Sequence, residues 1–219
     1  MLLNYLIVVS ISALAVASVA WFFRKRRELI LFLKNVTEVL EKYFKPVDKT
    51  YVWLGYLVGY RAKYDLPGNN KAYVLLTTVP RHSILYLPIA KLLKRRDRLE
   101  VAVEPYDRYV TTELHIHRKN SWTAEAVIRK TITGRAHQFG IREFQAGSYS
   151  YVAYYKDEKA FDAVRNLVEN SSLPILYITA VPQENIVTAS CEITLENIEN
   201  FLELHRELVK TLTKPKKLT

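Results

Sequence analysis

Cysteine is nearly absent. Cys191 stands alone, so no disulfide can close within the chain, as suits a reducing compartment. Methionine occurs once and glutamine three times in 219 residues, a scarcity of labile side chains that points to a thermophile. The six glycines are scattered. None belongs to a P-loop, a GxGxxG or a GxSxG arrangement, so there is no phosphate-cradling loop and no nucleophile elbow. HExxH and paired cysteines at zinc spacing are missing too, which removes the common zinc signatures. No glycine or proline precedes Pro46, and no charged side chain occurs between residues 2 and 23. That last absence organises the chain.

At about 1.5 Å per residue, a helix over residues 2–23 is roughly 30 Å long, the thickness of a bilayer's hydrocarbon core. Trp21, Phe22 and Phe23 stand where an aromatic interface belt belongs, and Arg24, Lys25, Arg26 and Arg27 follow at once as membrane-interface cations. A cleavable signal peptide, cut after Ser18-Val19-Ala20, competes with this reading, but no basic residue precedes the apolar run. A buried core helix is rarely so long and evenly apolar. The expectation is a single-pass anchor in the cell membrane. The positive-inside rule puts the N-terminus outside and residues 24–219 in the cytoplasm. Ser10, Ala13, Ala17 and Ala20 share one stripe, a spacing that lets another membrane helix approach closely.

Without the anchor, enough chain remains for one sizeable domain or two small ones. Half the residues are hydrophobic and fifteen are tyrosine, so the remainder should bury a core. The net charge of +10 fits anionic lipid headgroups, nucleic acid such as ribosomal RNA, or an acidic protein as partner.

Residues 24–44 show a helical apolar period, with Leu29, Leu33, Val36 and Leu40, which predicts that the anchor continues into a stem ended by Pro46. Residues 51–64 read as one strand, 67–70 as a turn and 71–79 as the hairpin partner. A helix is expected over 81–95, kinked at Pro88. Residues 98–104 and 109–117 read as a second hairpin turning at 105–107. A helix at 122–132 and a loop over 134–147, with room for a short helix, come next, then a strand at 149–155 and a helix at 157–170. Strands at 174–181 and 186–193 and a helix over 195–212, capped by Thr194, complete the chain before a loose basic tail. Hairpins favour antiparallel pairing, so the class is α+β, with a mainly antiparallel sheet domain and packed helices. The expected divisions are an anchor over 1–23, a stem over 24–45, a cytoplasmic domain over 46–212 and a tail over 213–219.

Chemistry is sparse. His115 and His117 lie two apart on an alternating segment and so share a face. That makes them either two metal ligands, still short of a third, or part of a solvated strand face. Cys191 reads as a small core residue, and Ser190 has no evident base. Neither a catalytic residue nor a cofactor is expected. The charge pattern is more informative. Lys91, Lys94, Arg95, Arg96 and Arg98 crowd one helix end, and Arg118 and Lys119 follow the histidines. A helix C-terminus alone attracts cations, but several clusters together suggest an RNA or anionic-lipid surface.

The run RHSILYLPIAKLLKRRDRLEVAVEPYDRYVTTELHIHRKN, starting at Arg81, resembles the calumin family. That family is the coiled-coil-domain-containing cytosolic subunit of the PAT chaperone complex at the endoplasmic reticulum translocon. The shared features are an Arg before a Leu-rich helix with a basic end, an alternating strand, a short acidic turn, and a strand closing on Arg-Lys. Gly59-Tyr60-Arg61 stands in the place of a Gly-Arg of the family, and the late strand pair and final helix follow the same order. The family's acidic lumenal segment and long charged coiled coil have no counterpart, so the likeness is to a minimal, archaeal relative. It implies a non-enzymatic, membrane-anchored accessory factor that binds a membrane-protein translocon or insertase, the ribosome, or both. It also implies that basic residues 91–98 and 118–119 meet rRNA phosphate or headgroups. Two other readings stand beside it: a membrane-tethered metal-dependent hydrolase using His115 and His117, and a lipid-docking adaptor of a cell-envelope complex.

Overall fold

The computed structural model describes residues 2–55, 57–83, 90, 92 and 95–216, with side chains from residue 4 onward. The protein begins with one helix, α1 (Leu2–Phe44), 43 residues long. Without glycine or proline inside it, nothing kinks it. It stops at Lys45, whose N–H donates to the Glu41 carbonyl at 2.9 Å and whose φ of 46° turns the chain out of the helix. Pro46 cannot continue the ladder.

The two halves of α1 meet different surroundings. Residues 4–17 are all exposed. Beyond the cations at 24–27, Leu29, Leu33, Val36 and Leu40 are buried. Their spacing of four, three and four puts them on one stripe. The stripe packs on a sheet through Tyr60, Ala62, Tyr64, Val74 and Leu76. Each such side chain contributes on the order of 1.5–3 kcal/mol relative to exposure.

The sheet contains β1 (Asp48–Trp53), β2 (Gly59–Asp65), β3 (Lys71–Thr77), β4 (Arg98–Glu104), β6 (Leu114–Arg118), β7 (Gly140–Ala146), β8 (Tyr149–Tyr155), β9 (Ile175–Val181) and β10 (Ile186–Glu192). Its nine strands run in the order β1-β2-β3-β4-β10-β9-β6-β8-β7. Every neighbouring pair is antiparallel. A separate two-stranded ladder joins β5 (Arg108–Val110) to β11 (Thr213–Pro215). The stem of α1, α3 (Glu158–Ser171) and α4 (Ile198–Leu212) share one core with the sheet. A smaller cluster forms where α2 (Trp122–Ile132) sets Ala124, Ile128 and Ile132 against Phe139, Leu176 and Tyr177. The class is therefore α+β with a mainly antiparallel sheet, nine strands in one sheet and two in a small ladder.

Several elements differ from the sequence reading, each for a local reason. Residues 51–64 split into β1 and β2, with Gly55 at φ 141° and Leu57 at φ 55° in the turn. Gly59, at φ 136°, opens β2 where a Cβ would lie 1.9 Å from the Leu76 carbonyl oxygen, so only glycine fits. Residues 109–117 also split. The Asn185 side chain accepts from the Val110 N–H at 2.8 Å and donates to the Pro105 and Arg108 carbonyls at 2.7 and 3.1 Å. That grip draws β5 away from β4, whose edges belong to β3 and β10, while β6 inserts between β9 and β8. The segment read as a loop with room for a short helix, 134–147, holds a 3-10 turn and also the edge strand β7. Its alternation was hidden because the exposed Arg142, over the Phe161 ring at 6.0 Å, lies on the same face as the buried Phe144 and Ala146. Asn197, not Thr194, is the N-cap of α4; its side-chain oxygen accepts from the Thr194 N–H at 2.8 Å. Of the tail, Thr213–Pro215 form β11 and pair with β5. The helix expected over 81–95 falls mostly outside the described residues.

Candidate functional site

α1 descends along β2 and β3. Arg81 lies over the Phe32 ring at 5.9 Å, Thr37 and Tyr60 share a hydrogen bond of 2.7 Å, and Phe44 meets Tyr64. The end of the sheet carrying Thr77 and Arg98 is therefore the one nearest the apolar half of the helix. There the Trp21 indole N–H donates to the Arg81 carbonyl at 3.4 Å, and Phe22 packs edge-on against His82 at 5.7 Å.

A cavity of about 390 Å³ opens at this junction. Its lining includes Trp21, Lys25, Val79, Arg81, Ala90, Arg95, Arg96, Asp97, Ile193 and Thr194. Asp97 is its buried keystone: one carboxylate oxygen takes the Val79 N–H at 2.8 Å and the other pairs with Arg81. Its own carbonyl accepts from the Ile193 N–H at 2.9 Å, so it ties the ends of β3, β4 and β10 together. Burial pushes its carboxyl up, and the Val79 and Arg81 bonds oppose this. Lys25 pairs with Glu28 at 2.6 Å and lies 5.3 Å from the Trp21 ring centre. Arg96 is two-thirds exposed and only loosely paired, 3.6 Å from Glu192.

Of the cations named from sequence, Arg95 and Arg96 come together here, and Arg98 opens β4 close by. Lys91 and Lys94 lie outside the described residues. Arg118 does not belong to an exposed basic surface. Its guanidinium turns inward to Glu192 at 2.7 Å and to the Ile175 and Pro174 carbonyls at 2.9 and 2.5 Å, with Tyr149 stacked against it. Lys119 is engaged by Glu143 at 2.8 Å. Arg24 pairs with Glu28 at 3.4 Å, and Arg26 and Arg27 sit on the same turn. Ser10, Ala13, Ala17 and Ala20 lie along the exposed half of α1. The sequence reading missed Trp21, Lys25, Arg81 and Asp97 as parts of one place. Aromatic belt and basic run were both visible, but not that the chain returns sixty residues later to meet them.

His115 and His117 do share a face, but it is not a solvated one. They are 0% and 6% exposed. His115 contacts Glu113 at 3.3 Å and Phe139 edge-on at 5.6 Å, and His117 stacks on Tyr154. Burial is the first influence on Glu113 and pushes its carboxyl up. Hydrogen bonds from Lys156 and His115 and the charges of Lys156 and Arg135 outweigh it, leaving the pKa below the usual carboxylate value. Burial depresses the His115 pKa and favours neutral imidazole. Among the described residues, no group of three or more His, Cys, Asp and Glu is placed to hold a metal ion. Cys191 is buried and its thiol is pushed up by desolvation, so it is a core residue and a poor nucleophile.

A larger groove, of about 860 Å³, separates the end of α1 from α4. Tyr43, Phe44, Leu66 and Val103 contribute apolar surface, and Lys42, Lys45, Arg206 and Glu203 its charge. His205 lies buried behind it, with Nε2 3.2 Å from the Val187 carbonyl.

Together these features define an α+β domain carried on a helix long and apolar enough to cross a membrane. No family model matches the chain. No curated protein is similar to it in sequence. Among solved structures, the crystal structure of the mycobacterial trehalose monomycolate transport factor A, TtfA, is similar at a TM-score of 0.40 and 9% identity, over 81% of this chain and 96% of that one. A likeness so slight bears on neither fold nor function.

Proposed function

We propose that the protein is a non-enzymatic, single-pass membrane adaptor. Residues 2–23 of α1 cross the bilayer, the N-terminus lies outside, and the α+β domain stands against the cytoplasmic leaflet as a docking platform. The observation that carries this reading is the change of environment within one unbroken helix. Residues 4–17 are exposed on every side, while Leu29, Leu33, Val36 and Leu40 are buried in the domain. An uncharged, predominantly apolar and exposed half is suited to lipid around it, and a connection without glycine or proline sets the domain at a fixed attitude to that lipid. Arg24, Lys25, Arg26 and Arg27 supply the orientation. The test is alkaline carbonate extraction combined with protease added outside intact cells. Retention in the membrane with a protected domain supports the reading; release of the intact chain, or digestion of the domain from outside, rejects it.

The partner we propose is a membrane-protein translocon or insertase, on the likeness of residues 81–119 to the calumin family. Membranes bearing the protein should then co-sediment with ribosomes at low salt and release them as salt rises. The inward turn of Arg118 leaves fewer cations for rRNA than that likeness implies. The junction cavity favours the reading in which the adaptor's basic surface meets the lipid itself.

A further inference from the structure

We propose that the junction cavity binds the phosphate of an anionic phospholipid from the leaflet next to the domain. This rests on the reading of α1 as a membrane span. Trp21 lies at the end of the apolar run and is hydrogen-bonded to the Arg81 carbonyl, so the loop that walls the cavity is held level with the indole. Indoles settle at the membrane–water interface. The cavity therefore opens at headgroup depth.

Its chemistry suits that depth. Lys25, Arg81, Arg95 and Arg96 line it together with Asp97, while Glu28, paired with Lys25, and Glu192, near Arg96, are not part of the lining. Asp97 is already committed on both oxygens, to the Val79 N–H and to Arg81, so it holds Arg81 in place instead of repelling an incoming anion. The Arg95 N–H donates to the Ala90 carbonyl at 2.9 Å, which holds the backbone at Arg95, next to Arg96, at the cavity. Arg96 reaches Glu192 only at 3.6 Å, a loose pair that a phosphate can replace with two parallel hydrogen bonds. Trp21, Val79 and Ile193 give the same cavity apolar walls for the glycerol and first methylenes. A site for a free inorganic anion has no use for such walls.

The experiment uses the full-length protein in nanodiscs of phosphatidylcholine with or without phosphatidylglycerol, followed by native mass spectrometry of the lipid retained on release. Wild type should keep one phosphatidylglycerol in preference to phosphatidylcholine. Arg96→Gln should weaken retention about tenfold, the scale of one lost charge-assisted hydrogen bond, and Lys25→Gln with Arg96→Gln should abolish it. Neither side chain supports the core, and unchanged melting verifies the fold. Arg27→Gln, on the same helix but outside the cavity, should retain lipid normally. Equal retention of both lipids, retention by the double variant, or displacement of the lipid by inorganic phosphate as effectively as by phosphatidylglycerol overturns the proposal. Carbonate release of the wild-type chain would instead remove the membrane span, a separate failure read in a separate assay.

Discussion

The first and second halves of α1 share one backbone and differ in nearly everything else. In the first half apolar side chains point in all directions, and those of residues 4–17 are all exposed. In the second half Leu29, Leu33, Val36 and Leu40 keep to one stripe that the domain covers, while Ile30 and Leu31, next to the cations, stay exposed, as do Lys34, Glu38 and Lys42 further along. The comparison teaches that apolar content alone does not fix where a helix segment goes. The angular distribution does: an all-round apolar cylinder needs apolar surroundings on every side, whereas a stripe is satisfied by one neighbouring surface.

The largest expected effect breaks this comparison by placing a charge in each half. Val36→Asp buries a carboxylate against the sheet and should cost about 4 kcal/mol or more, leaving the domain open to limited proteolysis. Val16→Asp should leave the domain protease-resistant and instead reduce carbonate-resistant membrane association. Equal damage to the domain from both would mean that the halves are not distinct.

A pH effect of similar scale belongs to the packed half's neighbour, His205. Burial pushes its pKa down to about 4 from an ordinary 6.5. The neutral ring is favoured in the folded state, so the stability it supports is whole above about pH 6.5 and falls as pH drops through that value to about 4. The loss is roughly 3 kcal/mol. Urea unfolding of the detergent-solubilised chain at a series of pH values should show the fall, and His205→Gln should flatten it. An unchanged slope would place the titration elsewhere.

Arg118→Gln removes a largely buried guanidinium from Glu192 and two carbonyls and should destabilise by about 3 kcal/mol. Lys119→Gln, at an exposed pair, should stay within about 0.5 kcal/mol. Similar values for the two would restore Arg118 to the exposed basic surface. The smallest effect is expected from Ala17→Leu. It should leave domain melting unchanged to within about 0.5 kcal/mol, while cysteine cross-linking along the apolar half should report any loss of close helix packing.

Much of the fold was legible because the signals were local. The edges of β4, β8 and α2 coincide with the expected segments, where strict alternation or a clear helical period meets turn residues. The end of α1 followed from Pro46. What could not be read was set at a distance. The break between β5 and β6 depends on Asn185, 75 residues from Val110, while the local pattern alternates straight across it. The run of Tyr, Val and Trp over 51–64 concealed a turn that only Gly55 and Gly59 marked. At the candidate site, Arg95 and Arg96 were visible as charge. Their meeting with Trp21, Lys25 and Arg81 needed the third strand to return to the start of the stem. The histidines showed their shared face but not the helix laid over it, because α2 arrives after them.

With no glycine or proline between the apolar half and Phe44, α1 behaves as a stiff shaft. From Arg24 to Phe44 it extends about 30 Å beyond the interface. Set in a bilayer, a lean of about 10° taken up to suit a thinner hydrocarbon layer would sweep the far end of the domain sideways by roughly 5 Å. The groove between α1 and α4 sits at that far end, so membrane thickness would be converted into lateral displacement of that groove.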